Sequence, residues 1–242
     1  LAGPPNPRTA LDSILRKERH VQGANWVSDS IYGINDGLGA VFGIVSGMAG
    51  YTGGSDIVLI TGLAGMLASA LSMGSSAYLA AKSQREVYEG EIAREKAEIE
   101  ENPEEERQEL ELFYQLKGFT EEEARTLVAR IQEKPDHFLK TLVQEELGLS
   151  ETTFPNQWKA CLSATTSTAV GGIIPVIPFF FSRGTPAVIW AAVLSILAHF
   201  GVGLAKSLVT TRPWWISGLE MTMVAVIAGA ITYGLGVAFA IH

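Results

Sequence analysis

Five apolar stretches, at roughly 31–51, 57–81, 161–181, 186–205 and 214–241, dominate the chain. Each is long enough to cross a hydrocarbon layer ~30 Å thick at ~1.5 Å per helical residue. The charges lie mostly between the second and third of them. Residues 82–151 hold 20 of the 26 acidic and 10 of the 18 basic residues, which leaves the remainder nearly neutral and very apolar. Core helices of a soluble protein would carry polar faces, and these stretches have almost none. The pattern predicts an all-α membrane protein with five transmembrane helices and a helical domain inserted between spans 2 and 3.

Lysine and arginine set the orientation. The N-terminal arm carries Arg8, Arg16, Lys17 and Arg19, the 50–56 loop has none, and the 82–151 segment has ten. The 182–185 turn has only Arg183, the 206–213 loop has Lys206 and Arg212, and nothing basic follows Phe239. Basic loops face the cytoplasm, so the N-terminus and the insert are expected inside and the C-terminus outside. The predicted organisation is a linker and interfacial amphipathic helix over 1–28, spans 1 and 2 over 29–81, a cytoplasmic helical domain over 82–156, and spans 3–5 over 157–242. In the arm, Thr9 is a cap candidate, and Leu11, Ile14 and Leu15 form an apolar stripe beside Arg16, Lys17 and Arg19. A solvated charged linker is the competing reading of the same residues. The chain opens on Leu1, which suggests a fragment or processed product, and its first residues do not resemble a signal peptide.

Several function classes drop out. A net charge of −8 with no internal basic cluster argues against nucleic-acid binding. Cys161 is the single cysteine, so there is no disulfide framework or paired-cysteine metal site, and the four histidines are scattered. No nucleophile–base constellation or nucleotide loop is visible, so neither an enzyme nor an ATP-driven pump is expected. Gly37-Leu38-Gly39 resembles part of a dinucleotide fingerprint, but no strand precedes it.

The insert is punctuated as helices. Asn102-Pro103 starts one, with Glu105 at the capping-box position, and Gly118 closes it. Thr120 with Glu123 opens another, which Pro135 ends, and a last helix covers 136–147 before Gly148. Leu112, Phe113, Leu116, Phe119, Leu127, Val128, Ile131, Phe138, Leu139 and Leu142 can supply a small core, so a folded domain is preferred over a disordered acidic segment.

Candidate chemistry falls into two groups. Asp36, Met73, His199 and Glu220 all lie roughly 9–12 Å below the cytoplasmic boundary of four different spans, counted at ~1.5 Å per residue. A carboxylate within a span is costly enough to suggest a function by default, and a thioether beside it suits a borderline transition metal. A shallow buried Glu220 is the candidate for proton exchange. In the insert, Glu95 and Glu98 share one helical face and Glu106 and Glu109 another. Clustered carboxylates gain from a bound cation, and oxygen-only ligands favour Fe²⁺, Mn²⁺, Mg²⁺ or Ca²⁺. No Glu-x-x-His occurs, so the ferritin-type di-iron pattern is absent. The glycines Gly33, Gly37, Gly39, Gly43 and Gly47 make the first span a packing or dimer face, and Pro175 and Pro178 should break the third.

These residues resemble the vacuolar iron transporter family. The likeness rests on Asp36-Gly37-Leu38, on Phe42-Gly43-Ile44-Val45-Ser46-Gly47, on Leu71-Ser72-Met73-Gly74, on Tyr78-Leu79-Ala80-Ala81-Lys82-Ser83, and on the glutamate-rich insert. It implies a homodimer of five-span subunits in the lipid bilayer, exchanging cytoplasmic Fe²⁺, or also Mn²⁺, for protons. No prosthetic group is implied; the ion is substrate and bound ligand. The implied pathway lies at the subunit interface and is lined by Asp36 and Met73. The insert would be a cytoplasmic metal-binding domain whose glutamates fall on Glu95, Glu98, Glu106, Glu109 and Glu146. Plant members carry a methionine pair where this chain has Leu142 and Val143, which would leave an all-oxygen site. The segment from Gly3 to His20 also resembles bacterial members in which a ferritin-like domain comes first. The implied location is the bacterial inner membrane, or the vacuolar membrane in a eukaryote. A membrane-anchored metal buffer or sensor without transport is the alternative, and Asp36 argues against it, since a mere anchor has no use for a carboxylate. The topology is testable with single cysteines in a Cys161→Ser background. Ser55→Cys should label from the outside and Gln108→Cys only after permeabilisation; outside labelling at 108 would reverse the orientation.

Overall fold

The computed structural model describes residues 24–54, 56–149, 154–210 and 212–240. The expected interfacial helix of the N-terminal arm lies outside them. The described residues are helical and contain no strand. In chain order the helices are α1 (Ala24–Thr52), α2 (Asp56–Glu101), α3 (Pro103–Leu116), α4 (Glu121–Gln132), α5 (Pro135–Glu145), α6 (Gln157–Ile173), α7 (Pro178–Phe181), α8 (Gly184–Val209) and α9 (Trp214–Ala240). They form two compact units. A bundle comprises the described residues up to Gly74 and from Leu162 onward, and an insert comprises Ser75–Cys161.

Among the described residues, α2, α8 and α9 are long and apolar enough to cross a membrane. The first apolar stretch lies in the 29-residue α1, where Asn35, Asp36 and repeated glycines dilute its hydrophobicity. The third is divided between the 17-residue α6 and the single turn α7. Pro175 and Pro178 account for the break, because each lacks an amide hydrogen for the helical ladder and crowds the preceding turn. The backbone crosses the break through short-range turn bonds such as Val176 N–H to the Ile173 carbonyl at 3.0 Å.

The bundle core joins Val41, Val45 and Ala49 of α1, Val58 of α2, Val176 and Phe179 around α7, and Ala187 and Ala191 of α8. A second cluster sets Ile31 and Leu38 of α1 against Val202 of α8 and Met221 of α9. The α1–α6 crossing is close enough to exclude side chains. A Cβ on Gly37 would fall 1.9 Å from the Thr168 carbonyl oxygen, and one on Gly171 would fall 1.9 Å from that of Ile34. Gly33 and Gly37 are thus spent on packing within the chain. Gly39, Gly43 and Gly47 instead line an open apolar groove of about 700 Å³ between α1 and α9. The α1–α2 and α7–α8 turns are tied by Gly184 N–H to the Gly54 carbonyl at 2.8 Å and by Arg183 to Asp56 at 2.6 Å.

The insert has a core of its own: Leu110, Val128, Phe138 and Leu142, with Ile99, Tyr114 and Ile131 against it. Its helix ends mostly follow the sequence signals. Thr120 and Glu123 form a reciprocal capping box. Gly118, at φ 99°, allows Phe119 N–H to reach the Tyr114 carbonyl at 3.2 Å and Gly118 N–H that of Gln115 at 2.9 Å. Phe119 then packs edge-on against Tyr114 at 5.7 Å, completing a Schellman motif. Asn102 differs from expectation, since its side chain caps nothing. Its backbone carbonyl instead accepts from Glu105 and Glu106 N–H at 3.0 and 3.2 Å. Pro135 begins α5 at its first turn rather than only ending α4.

The α1–α6 crossing is directly testable. Gly171→Ala must push two backbones apart and should cost about 1–3 kcal/mol, as overpacking does. Gly201→Ala, where a Cβ meets nothing within 4 Å, should be neutral or slightly stabilising. Thermal unfolding in detergent separates the two, and equal midpoints would mean that the crossing is not as tight as described.

Candidate functional site

The insert brings its five predicted glutamates into one electrostatic cluster. Glu95 and Glu98 come from α2, Glu106 and Glu109 from α3, and Glu146 from the residue capping the C-terminus of α5. Glu95 is fully buried, and neither of its carboxylate oxygens has a hydrogen-bond donor. Burial first, then the adjoining Glu146 carboxyl and the charges of Glu106 and Glu98, push Glu95 up to about 8. Glu106 is raised above the usual carboxylate range by burial and by the charges of Glu109, Glu98 and Glu146. Glu109 is raised by burial and by Glu146, Glu98 and Glu105. Three helices therefore bring five carboxyl groups to one place, with, among the described residues, only Glu98 near a cation, Arg94 at 3.8 Å. Among the described residues, no group of three or more acidic, histidine or cysteine side chains stands preformed around a metal ion.

Sequence reasoning missed the basic members of this region. Arg94 pairs with Glu91 and lies 3.8 Å from Glu98, and Arg107 pairs with the buried Glu111 and with Glu104. Helical spacings of three and four between these residues were the available signal. Leu142 and Val143 are both buried, and Leu142 belongs to the insert core.

In the bundle the predicted residues do not form one contact group. Asp36 is exposed on α1, with no hydrogen bond or ion pair to a described residue. Met73 is half-buried on α2. His199 is buried on α8, with Nδ1 2.8 Å from the Ser195 carbonyl oxygen and its ring 6.3 Å from that of Phe42. Glu220 departs from the expected buried, unpaired carboxylate. It is half-exposed and lies 3.3 Å from Arg212 and 3.8 Å from Lys206. The reason is local: α9 starts only at Trp214, so Glu220 sits near the start of its helix and within reach of both cations.

An acid-rich helical insert and a bundle of apolar helices carrying isolated polar groups describe an integral membrane protein that handles cations. The VIT family profile matches residues 27–237. A vacuolar iron transporter of Centaurea cyanus is 34% identical over 224 residues, covering 90% of each chain. Vacuolar iron transporter 1 of Eucalyptus grandis is 31% identical over 220 residues, covering 90% of this chain and 88% of the relative. A vacuolar iron transporter of Plasmodium falciparum is 32% identical over 244 residues, covering 95% and 89%. The chain belongs to the VIT family, and it is a membrane transporter for metal ions rather than an enzyme.

The raised Glu95 predicts how the metal-free insert responds to pH. Between about 4.5 and about 8 the folded state holds a proton on Glu95 that the unfolded chain has released. Stability is therefore greatest below this window and falls as pH rises through it, by at most ~1.4 kcal/mol per unit from this group. Urea unfolding of segment 75–161 in chelator, followed by circular dichroism, should show the midpoint falling from pH 5 to pH 8. Glu95→Gln should flatten the slope; an unchanged slope would mean that Glu95 is not the group responsible.

Proposed function

We propose that this chain is a proton-coupled exporter of Fe²⁺, and of Mn²⁺, from the cytoplasm. It works as a homodimer of five-span subunits with the acidic insert on the cytoplasmic side. The observation that carries the metal reading is the convergence of five carboxylates from three helices, with Glu95 buried and lacking any donor. Such a cluster is unfavourable alone and is relieved by a divalent cation, towards which the side chains would close. The names of the relatives support iron as the ion.

Transport, as opposed to storage, is favoured by Asp36. An unpaired carboxylate exposed on a bundle helix is costly in hydrocarbon, and a membrane-anchored buffer or sensor would have no use for it. It becomes intelligible when a second copy covers α1, whose open groove along Gly39, Gly43 and Gly47 suits the close approach of another helix. Asp36 and Met73 then hold the ion on its way through, carboxylate for charge and thioether for preference. His199 and Glu220 line the same route. The membrane is the bacterial inner membrane, or a vacuolar membrane in a eukaryotic host, and a ferritin-like domain upstream of Leu1 would deliver or collect the same ion.

Metal flux into proteoliposomes under an imposed pH gradient tests the proposal. Asp36→Ala and Met73→Ala should abolish or cripple flux while leaving metal binding by the insert intact. Replacing Glu95, Glu98, Glu106, Glu109 and Glu146 by alanine should remove that binding. Wild-type flux from the Asp36→Ala protein would favour the buffer or sensor.

A further inference from the structure

The basic side chains of the bundle are few and unequally partnered. Among its described residues they are Arg183, Lys206 and Arg212. Arg183, where α8 begins, is matched one to one by Asp56 at 2.6 Å, so that pair is neutral. Lys206 and Arg212, on either side of the turn from α8 to α9, share a single carboxylate, Glu220, at 3.8 and 3.3 Å. Two cations against one anion leave this turn with positive charge in excess. Neither cation belongs to the proposed metal route.

The pairing also leaves donors unused. At 3.8 Å the Lys206 ammonium is beyond hydrogen-bond reach of Glu220. Arg212 is exposed, and a guanidinium has five N–H donors, of which Glu220 faces one nitrogen's at 3.3 Å. Next in the chain, the amides of Trp214 and Trp215 open α9, where no intrahelical acceptor is available to them.

The surroundings of these donors are apolar. Trp214 and Trp215 are both exposed, as are Leu208 at the end of α8 and Leu219 on α9. Trp214 is braced edge-on by Phe200 of α8, with ring centroids 6.5 Å apart and planes at 89°. Exposed indoles beside exposed leucines mark a surface at the boundary between hydrocarbon and headgroups, where the ring's apolar body and its N–H are both accommodated. The excess charge and the free donors therefore stand at headgroup depth.

We infer that the α8–α9 turn is a binding site for an anionic phospholipid, whose phosphate Lys206 and Arg212 hold while Trp214 and Trp215 fix the turn at the interface. A zwitterionic lipid brings its own ammonium to a site that is already positive, so the turn selects the anionic headgroup. Free phosphate has the same charge chemistry but no acyl chains to lie against Leu208 and Leu219, which favours the lipid. The inference goes beyond the transport reading and uses none of its steps. Only the leaflet depends on the proposed orientation, which puts this turn on the cytoplasmic side, where anionic lipids attract juxtamembrane basic residues.

The test uses the full chain in a non-ionic detergent, incubated with equal amounts of phosphatidylglycerol and phosphatidylcholine. Native mass spectrometry counts the lipids that each molecule keeps. The wild type should keep phosphatidylglycerol in preference. Arg212→Gln leaves Lys206 to partner Glu220 and should lower that preference about fivefold, as should Lys206→Gln. Arg183→Gln, at the neutral pair, should leave it unchanged. Either site variant answers the question if the other does not fold. No preference in the wild type, an undiminished preference in a folded Arg212→Gln or Lys206→Gln protein, or an equal fall in Arg183→Gln would overturn the inference. So would displacement of phosphatidylglycerol by excess inorganic phosphate, since that marks a site for free anions. None of these measurements involves flux, so a failure here leaves the transport reading standing, and a protein without flux leaves this site standing.

Discussion

The cost of an uncompensated charge in a low-dielectric medium governs the layout of this molecule. Lysine, arginine, aspartate and glutamate are nearly excluded from the bundle helices and gathered in the insert. Where charge persists at the ends of the bundle it is partnered, as Asp56 is by Arg183 and Glu220 by Lys206 and Arg212. With apolar surface on every side, burial alone cannot hold such helices together, so packing must do so. The chain meets that need at the α1–α6 crossing, where Gly37 and Gly171 bring backbone against backbone. Asp36 has no hydrogen bond or ion pair among the described residues, and on the proposed reading that exception marks α1 as the helix that handles the ion.

In the insert the same electrostatics act in the opposite sense. Water tolerates the acidic surface, so the domain can afford clustered carboxylates provided a core and good helix ends offset their repulsion. Leu110, Val128, Phe138 and Leu142 supply the core. Each fully buried large aliphatic or aromatic side chain contributes about 1.5–3 kcal/mol, the same order as the cost of the Glu95 carboxyl, which burial first and neighbouring carboxylates second push up to about 8. The reciprocal cap at Thr120 and the Schellman turn at Gly118 add smaller terms that keep α3 and α4 from fraying. Leu142 is therefore a structural residue here.

Much of this was legible in the sequence, because the features concerned depend on local chemistry. Hydrophobic length picked out α2, α8 and α9, the two prolines after Gly171-Gly172 announced the break at α7, and glycine and threonine signals placed the ends of α3 and α4. Four of the glutamates could be paired because helical spacing put Glu95 with Glu98 and Glu106 with Glu109, whereas Glu146 came only from the family resemblance. What sequence reasoning missed depends on tertiary placement. Nothing in the order of residues says that Glu220 lies within reach of Lys206 and Arg212, or that Asn102 offers its carbonyl instead of its side chain. Nor does it distinguish Gly37, spent inside the subunit, from Gly39 and Gly43, which line an open groove two residues further on. That distinction depends on which side of α1 meets α6, a property of the packed bundle.

The two groups of candidate ligands differ in kind, and the difference bears on where selectivity resides. The insert offers oxygen donors, which bind Fe²⁺, Mn²⁺ and Mg²⁺ with little discrimination beyond size and rigidity, and no three of them are preformed around an ion. A loose carboxylate cluster concentrates divalent cations but cannot choose strictly among them. On the proposed reading the ion is held in the bundle by the Asp36 carboxylate and the Met73 thioether, with the His199 imidazole on the same route, and the thioether and imidazole favour a transition metal over Mg²⁺. On the proposed reading, selectivity is therefore exerted inside the membrane, at Met73, while the insert governs how much ion is available. Such a division suits a chain whose insert has the apolar Leu142 and Val143 beside Glu146 and no sulfur ligand among its five glutamates, because on this reading the soft ligand stands at the step inside the membrane.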